Sequence, residues 1–202
     1  MSYQNENNLT DNHLVGKVLH GDTNAFKTIM KNTEGLVAQI IFKMIPGAED
    51  RKDIAQDIYL KVFHKLGGFK FQSKLSTWVA QIAYNTCINH LEKKKIILFD
   101  SNNDGKEPGD ETLEKQNGQI DPFNETEKLI FKKELSEILK IEIGKLSPIY
   151  KTLITLFHSE ELTYSEIAQI TNLPEGTIKN YLFRARKILK DNLLLIYKKE
   201  AL

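Results

Sequence analysis

Apolar residues recur every three or four positions along most of this chain, and the strict alternation of strands is absent, so the pattern predicts an all-α protein. The clearest register lies near the C-terminus. Ile178, Leu182, Ala185 and Leu189 step by four, three and four residues and form one buried stripe. Just upstream, Thr163 followed three residues later by Glu166 is a capping box for a preceding helix. Pro174-Glu175 then opens the striped helix, where a missing N–H costs nothing and a carboxylate suits the dipole. Helix, tight turn, helix is the geometry that lays a helix in the major groove of DNA.

The same periodicity predicts helices elsewhere. Over 49–63, Ile54, Ile58 and Val62, with Ala55 and Phe63, make an inner face, which leaves Asp53, Gln56, Asp57 and Lys61 on the other side. Thr126 or Asn124 caps a helix carrying Leu129, Ile130, Leu135, Ile138 and Leu139, and Pro148 begins another with Leu153, Ile154 and Phe157. From Asp100 to Pro122 the chain is polar, rich in turn formers and nearly free of core residues, the composition of a flexible linker. The predicted organisation is two small helical domains, residues 1–98 and 124–202, joined by a linker at 99–123. The Asn-rich N-terminus reads as a polar tail.

Charge becomes informative once it is divided along the chain. The formal net charge is only +1. Yet 61–95 holds seven lysines against Glu92 alone, and 175–202 holds seven cations against Glu175, Asp191 and Glu200. Acids outnumber bases between Asp100 and Glu142. Two positive segments separated by an acidic one fit two contacts on one polyanion. The single cysteine, Cys87, excludes an internal disulfide, and the five histidines lack short ligand spacing, so neither a metal nor another cofactor is expected. The absence of an export signal or a membrane-length apolar run leads to a cytoplasmic expectation without membrane insertion.

Two stretches carry side chains suited to nucleic acid. On the C-terminal helix the buried stripe leaves Thr177, Lys179, Asn180, Tyr181, Phe183, Arg184, Arg186 and Lys187 for other faces. Arg and Asn pair bidentately with guanine and adenine edges, Phe touches a thymine methyl, and Lys neutralises phosphate. Within 67–76 a glycine pair leads into Lys70, Phe71, Gln72, Ser73 and Lys74, followed by Thr77, Trp78, Gln81, Tyr84 and Asn85, with Lys93 and Lys94 further on. Aromatic faces stack on unpaired bases while amides read edges and lysines hold the backbone, a set that suits an opened strand. Trp78, with Ile82 four residues on, also fits a core position. No nucleophile with a base, phosphate loop or zincin motif is present, so an enzyme is not expected.

Together these segments resemble the extracytoplasmic-function (ECF) branch of the bacterial sigma-70 family, which keeps only the second and fourth conserved regions. Gly21–Phe26 resembles the start of region 2, Asp53–Phe63 its polymerase-binding helix, and Ser76–Asn85 the segment that opens and reads the minus-ten element. Leu162–Ala168 and Pro174–Arg186 resemble region 4, which reads the minus-thirty-five element. The resemblance implies a sigma factor that binds core RNA polymerase and directs it to promoter DNA. Asp53, Gln56, Asp57, Leu60 and Lys61 would face the beta-prime clamp helices, the C-terminal domain would sit on the beta flap, and an anti-sigma factor would be a further partner. The loop at 70–74 would hold a flipped base. Family members often carry an arginine where this chain has Tyr181, and lean less on lysine at 91–95, so promoter sequence does not transfer. The alternative is a stand-alone helix-turn-helix regulator, which needs only duplex DNA.

Overall fold

Among residues 2–94 and 125–200, which the computed structural model describes, every regular element is helical and no strand occurs. The helices are α1 (Ser2–Leu19), α2 (Thr23–Met44), α3 (Ala48–Lys65), α4 (Leu75–Lys93), α5 (Glu125–Lys145), α6 (Pro148–His158), α7 (Tyr164–Thr171) and α8 (Glu175–Glu200), with a 3-10 turn at Leu66–Gly68. The linker expected at 99–123 lies outside the described residues.

Local signals account for several helix ends. Gly21 takes a φ of +94°, which only glycine adopts without strain, and turns the chain from α1 into α2. The Asp22 carboxylate then accepts from the N–H groups of Asn24 and Ala25 at 2.8 and 3.1 Å. Ala25, Ile29, Thr33, Val37, Ile40, Ile41 and Met44 form the buried face of α2. Pro46 follows its end, and Arg51 reaches back to close it. Its Nε donates to the Ile45 carbonyl at 2.6 Å and its Nη2 to that of Pro46 at 3.1 Å. In α7 the capping box is complete, and Asn172 ends the helix in the left-handed conformation at φ +57°.

α2, α3 and α4 pack on one another, with α1 laid against α2. α5, α6 and α7 gather around α8. The two groups are docked: α7 runs along α4, α6 meets α2, and the buried apolar cluster is continuous through both. Ile178, Leu182, Ala185 and Leu189 are all buried in that core.

Two sequence expectations are corrected. The N-terminal segment is a helix, not a polar tail. Its polar first half hides the signal, but Val15 and Val18 are buried. Asp11 also caps another helix, accepting from the Leu75 N–H at 3.0 Å at the start of α4, where Lys74 supplies no side-chain cap. Phe63 does not join the inner face of α3. It remains 47% exposed and meets Phe26 edge-on at 5.1 Å, because the core positions are already filled by Ile54, Ile58 and Val62.

We expect Asp11→Ala to lower stability by about 1 kcal/mol, the usual cost of a lost helix cap, with Asp11→Asn recovering most of it. Urea unfolding followed by circular dichroism checks this. An unchanged midpoint for Asp11→Ala would show that the cap contributes nothing.

Candidate nucleic-acid and partner surfaces

Three surfaces emerge from this packing. The first is the outer face of α3. Burying Ile54, Ile58 and Val62 leaves Asp53, Gln56, Asp57 and Leu60 exposed, with Leu60 at 59%. Lys61 is held closer to the body of the protein. Its ammonium pairs with Asp57 at 2.6 Å and also donates to Thr86 Oγ1 at 3.3 Å. An exposed leucine beside two carboxylates and an amide suits a partner bringing both apolar and basic groups.

The second surface is a cleft of about 390 Å³ between the 66–74 loop, the start of α4 and the end of α7, where Gln169 and Asn172 form one wall. It gathers six of the predicted minus-ten residues, Lys70, Gln72, Ser73, Thr77, Trp78 and Gln81, with Gly68 and Phe69. Its floor is aromatic, with the Phe69 and Trp78 rings 5.1 Å apart; Phe71, at a φ of +56°, packs its ring 4.6 Å from Phe69 and does not line the cleft. Phe69 is buried and Trp78 half-buried, so the indole both packs and lines the cleft.

The structure separates other minus-ten candidates from this set. Tyr84 is only 4% exposed, and burial, followed by the neighbouring Tyr181 and Cys87, pushes its hydroxyl up to about 12. Asn85 is half-buried and does not line the cleft; Thr77, within the set, is itself buried. Lys93 and Lys94 are exposed one helix length away, where Lys94 pairs with Asp50 at 2.7 Å and, through that bond, holds the Asp50 carboxyl below its usual range. Cys87 is fully buried, and its thiol is likewise pushed up to about 12 by burial, so it acts as a small core residue.

The third surface is α8, whose cations are seated on aromatic rings. Phe157 of α6 and Tyr164 of α7 stack at 4.9 Å and 26°. The Lys179 ammonium sits 5.2 Å from the Tyr164 ring centre, and the Arg186 guanidinium 5.3 Å from that of Phe157. Arg186 also donates through Nε to His158 Nε2 at 3.3 Å, a bond that requires neutral histidine. Burial, then the Arg186 charge, holds the His158 pKa below its ordinary value. Thr177, Phe183 and Arg184 are half-buried on neighbouring faces, and Lys187 is exposed. Asn180 Oδ1 is shielded and has no hydrogen-bond partner, while Tyr181 meets Tyr150 edge-on at 5.7 Å.

Phe157, His158 and Tyr164 are the site residues that sequence reasoning missed. They lie on two different helices before the turn and meet the α8 cations only through the tertiary fold. No local spacing announces them.

No helix among the described residues is long and apolar enough to cross a membrane. The family profile described as Sigma-70 region 2 matches residues 29–96, and that described as Sigma-70, region 4 matches 137–189. The chain is 30% identical to the ECF RNA polymerase sigma factor SigW of Bacillus subtilis, over 89% of this chain and 94% of the relative. It is 32% identical to the ECF RNA polymerase sigma-E factor of Escherichia coli, over 91% and 94%. Among solved structures, CnrH in complex with the cytosolic domain of CnrY aligns at a TM-score of 0.59 and 18% identity, covering 91% of this chain and 97% of that one. The sigma factor RpoE in complex with the anti-sigma factor NepR, from Bartonella quintana, aligns at 0.56 and 21%, covering 83% and 96%. These two likenesses confirm the fold. Two family regions in the right order, and relatives of matching length, place this chain in the ECF branch of the sigma-70 family: it is a sigma factor.

Proposed function

We propose that this sigma factor binds core RNA polymerase through the exposed face of α3, opens and reads the minus-ten element with the cleft at the start of α4, and reads the minus-thirty-five element with α8. The observation that carries the reading is the cleft. A stand-alone duplex reader has no use for an aromatic floor ringed by Lys70, Gln72, Ser73 and Gln81. That lining suits a base turned out of the helix, whose unstacking costs a few kcal/mol and is offset by stacking, amide contacts and lysine charge.

The domain division follows the same logic, with residues 1–98 serving clamp binding and the minus-ten element, 99–123 linking, and 124–202 serving the minus-thirty-five element and the beta flap. Sigma factors are regulators of polymerase rather than catalysts, and this chain is read accordingly as a cytoplasmic protein without its own active site. An anti-sigma factor is a proposed further partner. In support, one structural neighbour is a sigma factor bound to an anti-sigma factor.

On α8, Lys179 and Arg186 are aimed by the rings beneath them, and Arg184 is free of such a seat among the contacts described. We assign Arg184 to a base edge and Lys179, Arg186 and Lys187 to phosphates, with Asn180 as a second base reader.

Asp57→Arg is expected to weaken binding to purified core polymerase at least tenfold with an unchanged circular dichroism spectrum, because it places a cation on a face that presents carboxylates. Competition against a labelled sigma factor measures this, and unchanged affinity would remove α3 from the interface. Arg184→Ala is expected to weaken promoter binding of the holoenzyme by about 1–3 kcal/mol and to relax preference at one base pair. Equal loss on every sequence would make Arg184 a phosphate contact instead.

A further inference from the structure

A cleft of about 380 Å³, lined by none of the residues assigned to polymerase or promoter, opens where the end of α2 meets the turn between α5 and α6. That volume falls in the range of roughly 300–1,000 Å³ that small-molecule sites occupy. Four cations line it, Lys43, Arg51, Lys140 and Lys151, and no carboxylate does. Lys140 is exposed and pairs with Glu137 at 2.9 Å. Lys43, Arg51 and Lys151 are half-buried, and none of the three pairs with a carboxylate among the described residues.

Like charges drawn out of water without an acid between them are costly, and an anion placed among them removes that cost. Burial, then the Lys43 charge, holds the Lys151 ammonium below its ordinary pKa. The donors are also held in place. Arg51 commits Nε and Nη2 to the carbonyls of Ile45 and Pro46 at 2.6 and 3.1 Å and lies 4.5 Å from the Phe42 ring centre, which fixes the guanidinium and leaves Nη1 to donate elsewhere. Lys151 gives one N–H to the Gly144 carbonyl at 3.2 Å and keeps two. Pro148 opens α6 at the rim, where Ser147 supplies no side-chain cap, so the positive end of that helix adds to the same potential.

The rest of the lining selects the class of anion. Phe42, Met44, Pro46, Ile143 and Pro148 make it apolar. One terminal phosphate carries about −1.5 to −2 charges at neutral pH, so a second phosphate is needed to match three unpaired cations. Pyrophosphate alone would leave the apolar wall bare, whereas a ring body attached to it fills both parts. A nucleic-acid backbone presents single charges strung along a line, while these cations converge from both helical groups on one enclosed volume. We propose that this cleft is a binding site for a nucleoside diphosphate, with the phosphates among Lys43, Arg51 and Lys151 and the ring body on the apolar wall.

The test is fluorescence anisotropy of N-methylanthraniloyl-ADP titrated with the full chain in magnesium-free buffer. The wild type is expected to bind it, and Lys43→Ala combined with Lys151→Ala to bind at least tenfold more weakly at unchanged helicity. Lys43→Ala alone, at the exposed end of α2, is expected to weaken binding at least threefold. Lys70→Ala combined with Lys187→Ala, on the proposed DNA surfaces, is expected to change it less than twofold. Inorganic pyrophosphate is expected to displace the probe only at concentrations at least tenfold above those of unlabelled ADP. No binding by the wild type, unchanged binding in the Lys43 and Lys151 variants, or equal loss in the Lys70 and Lys187 variant would overturn the site. Pyrophosphate competing as well as ADP would overturn the nucleoside. Displacement by a mixed-sequence duplex at lower concentration than ADP would give the cleft to a nucleic-acid backbone and overturn the proposal.

Discussion

Burial of α4 on several sides is the constraint from which the arrangement of the molecule follows. Ten of its nineteen residues are buried, and they do not fall on one stripe, because α2 and α3 pack against it from within its own bundle and α7 from outside. A helix clasped in this way has little freedom to slide or turn. Its first turn is further pinned by the Asp11 carboxylate from α1. Phe69 of the preceding loop and Trp78 then close into the aromatic floor of the cleft, with Phe71 packed on Phe69. In the proposed function this rigidity is what a strand-opening site requires, since a pocket for an unstacked base must exist before the base arrives.

Local chemistry made much of this legible in the sequence. The stripe of Ile178, Leu182, Ala185 and Leu189, the Thr163–Glu166 box and Pro174 are all short-range signals, and each is realised as read. The inner face of α3 was equally plain at Ile54, Ile58 and Val62. The features that escaped depend on residues distant in the chain. Asp11 lies 64 positions from the N–H it caps, and Lys74 lies 92 from Glu166. The aromatic seats for Lys179 and Arg186 come from helices before the turn. Periodicity reports which side of a helix is buried, but not which neighbour buries it. Hence Tyr84, read as a surface contact, belongs to the core, and Phe63, read as core, stays largely exposed.

In the proposed function, Lys74 and Gln81, which meet Glu166 and Asn172 in this structure, also serve the promoter. Lysine and glutamine suit both uses, because an ammonium meets a carboxylate or a phosphate and an amide meets an asparagine or a base edge. Such contacts are each weak where solvent reaches them. The apolar cores of the two helical groups meanwhile keep each recognition surface intact.

The central claim is that this chain gives core RNA polymerase its promoter specificity. Runoff transcription with purified core enzyme, using genomic fragments that include the region upstream of the protein's own coding sequence, tests it most directly. Discrete transcripts that appear only when the chain is added are the predicted result. Absence of both transcripts and polymerase binding would contradict the account.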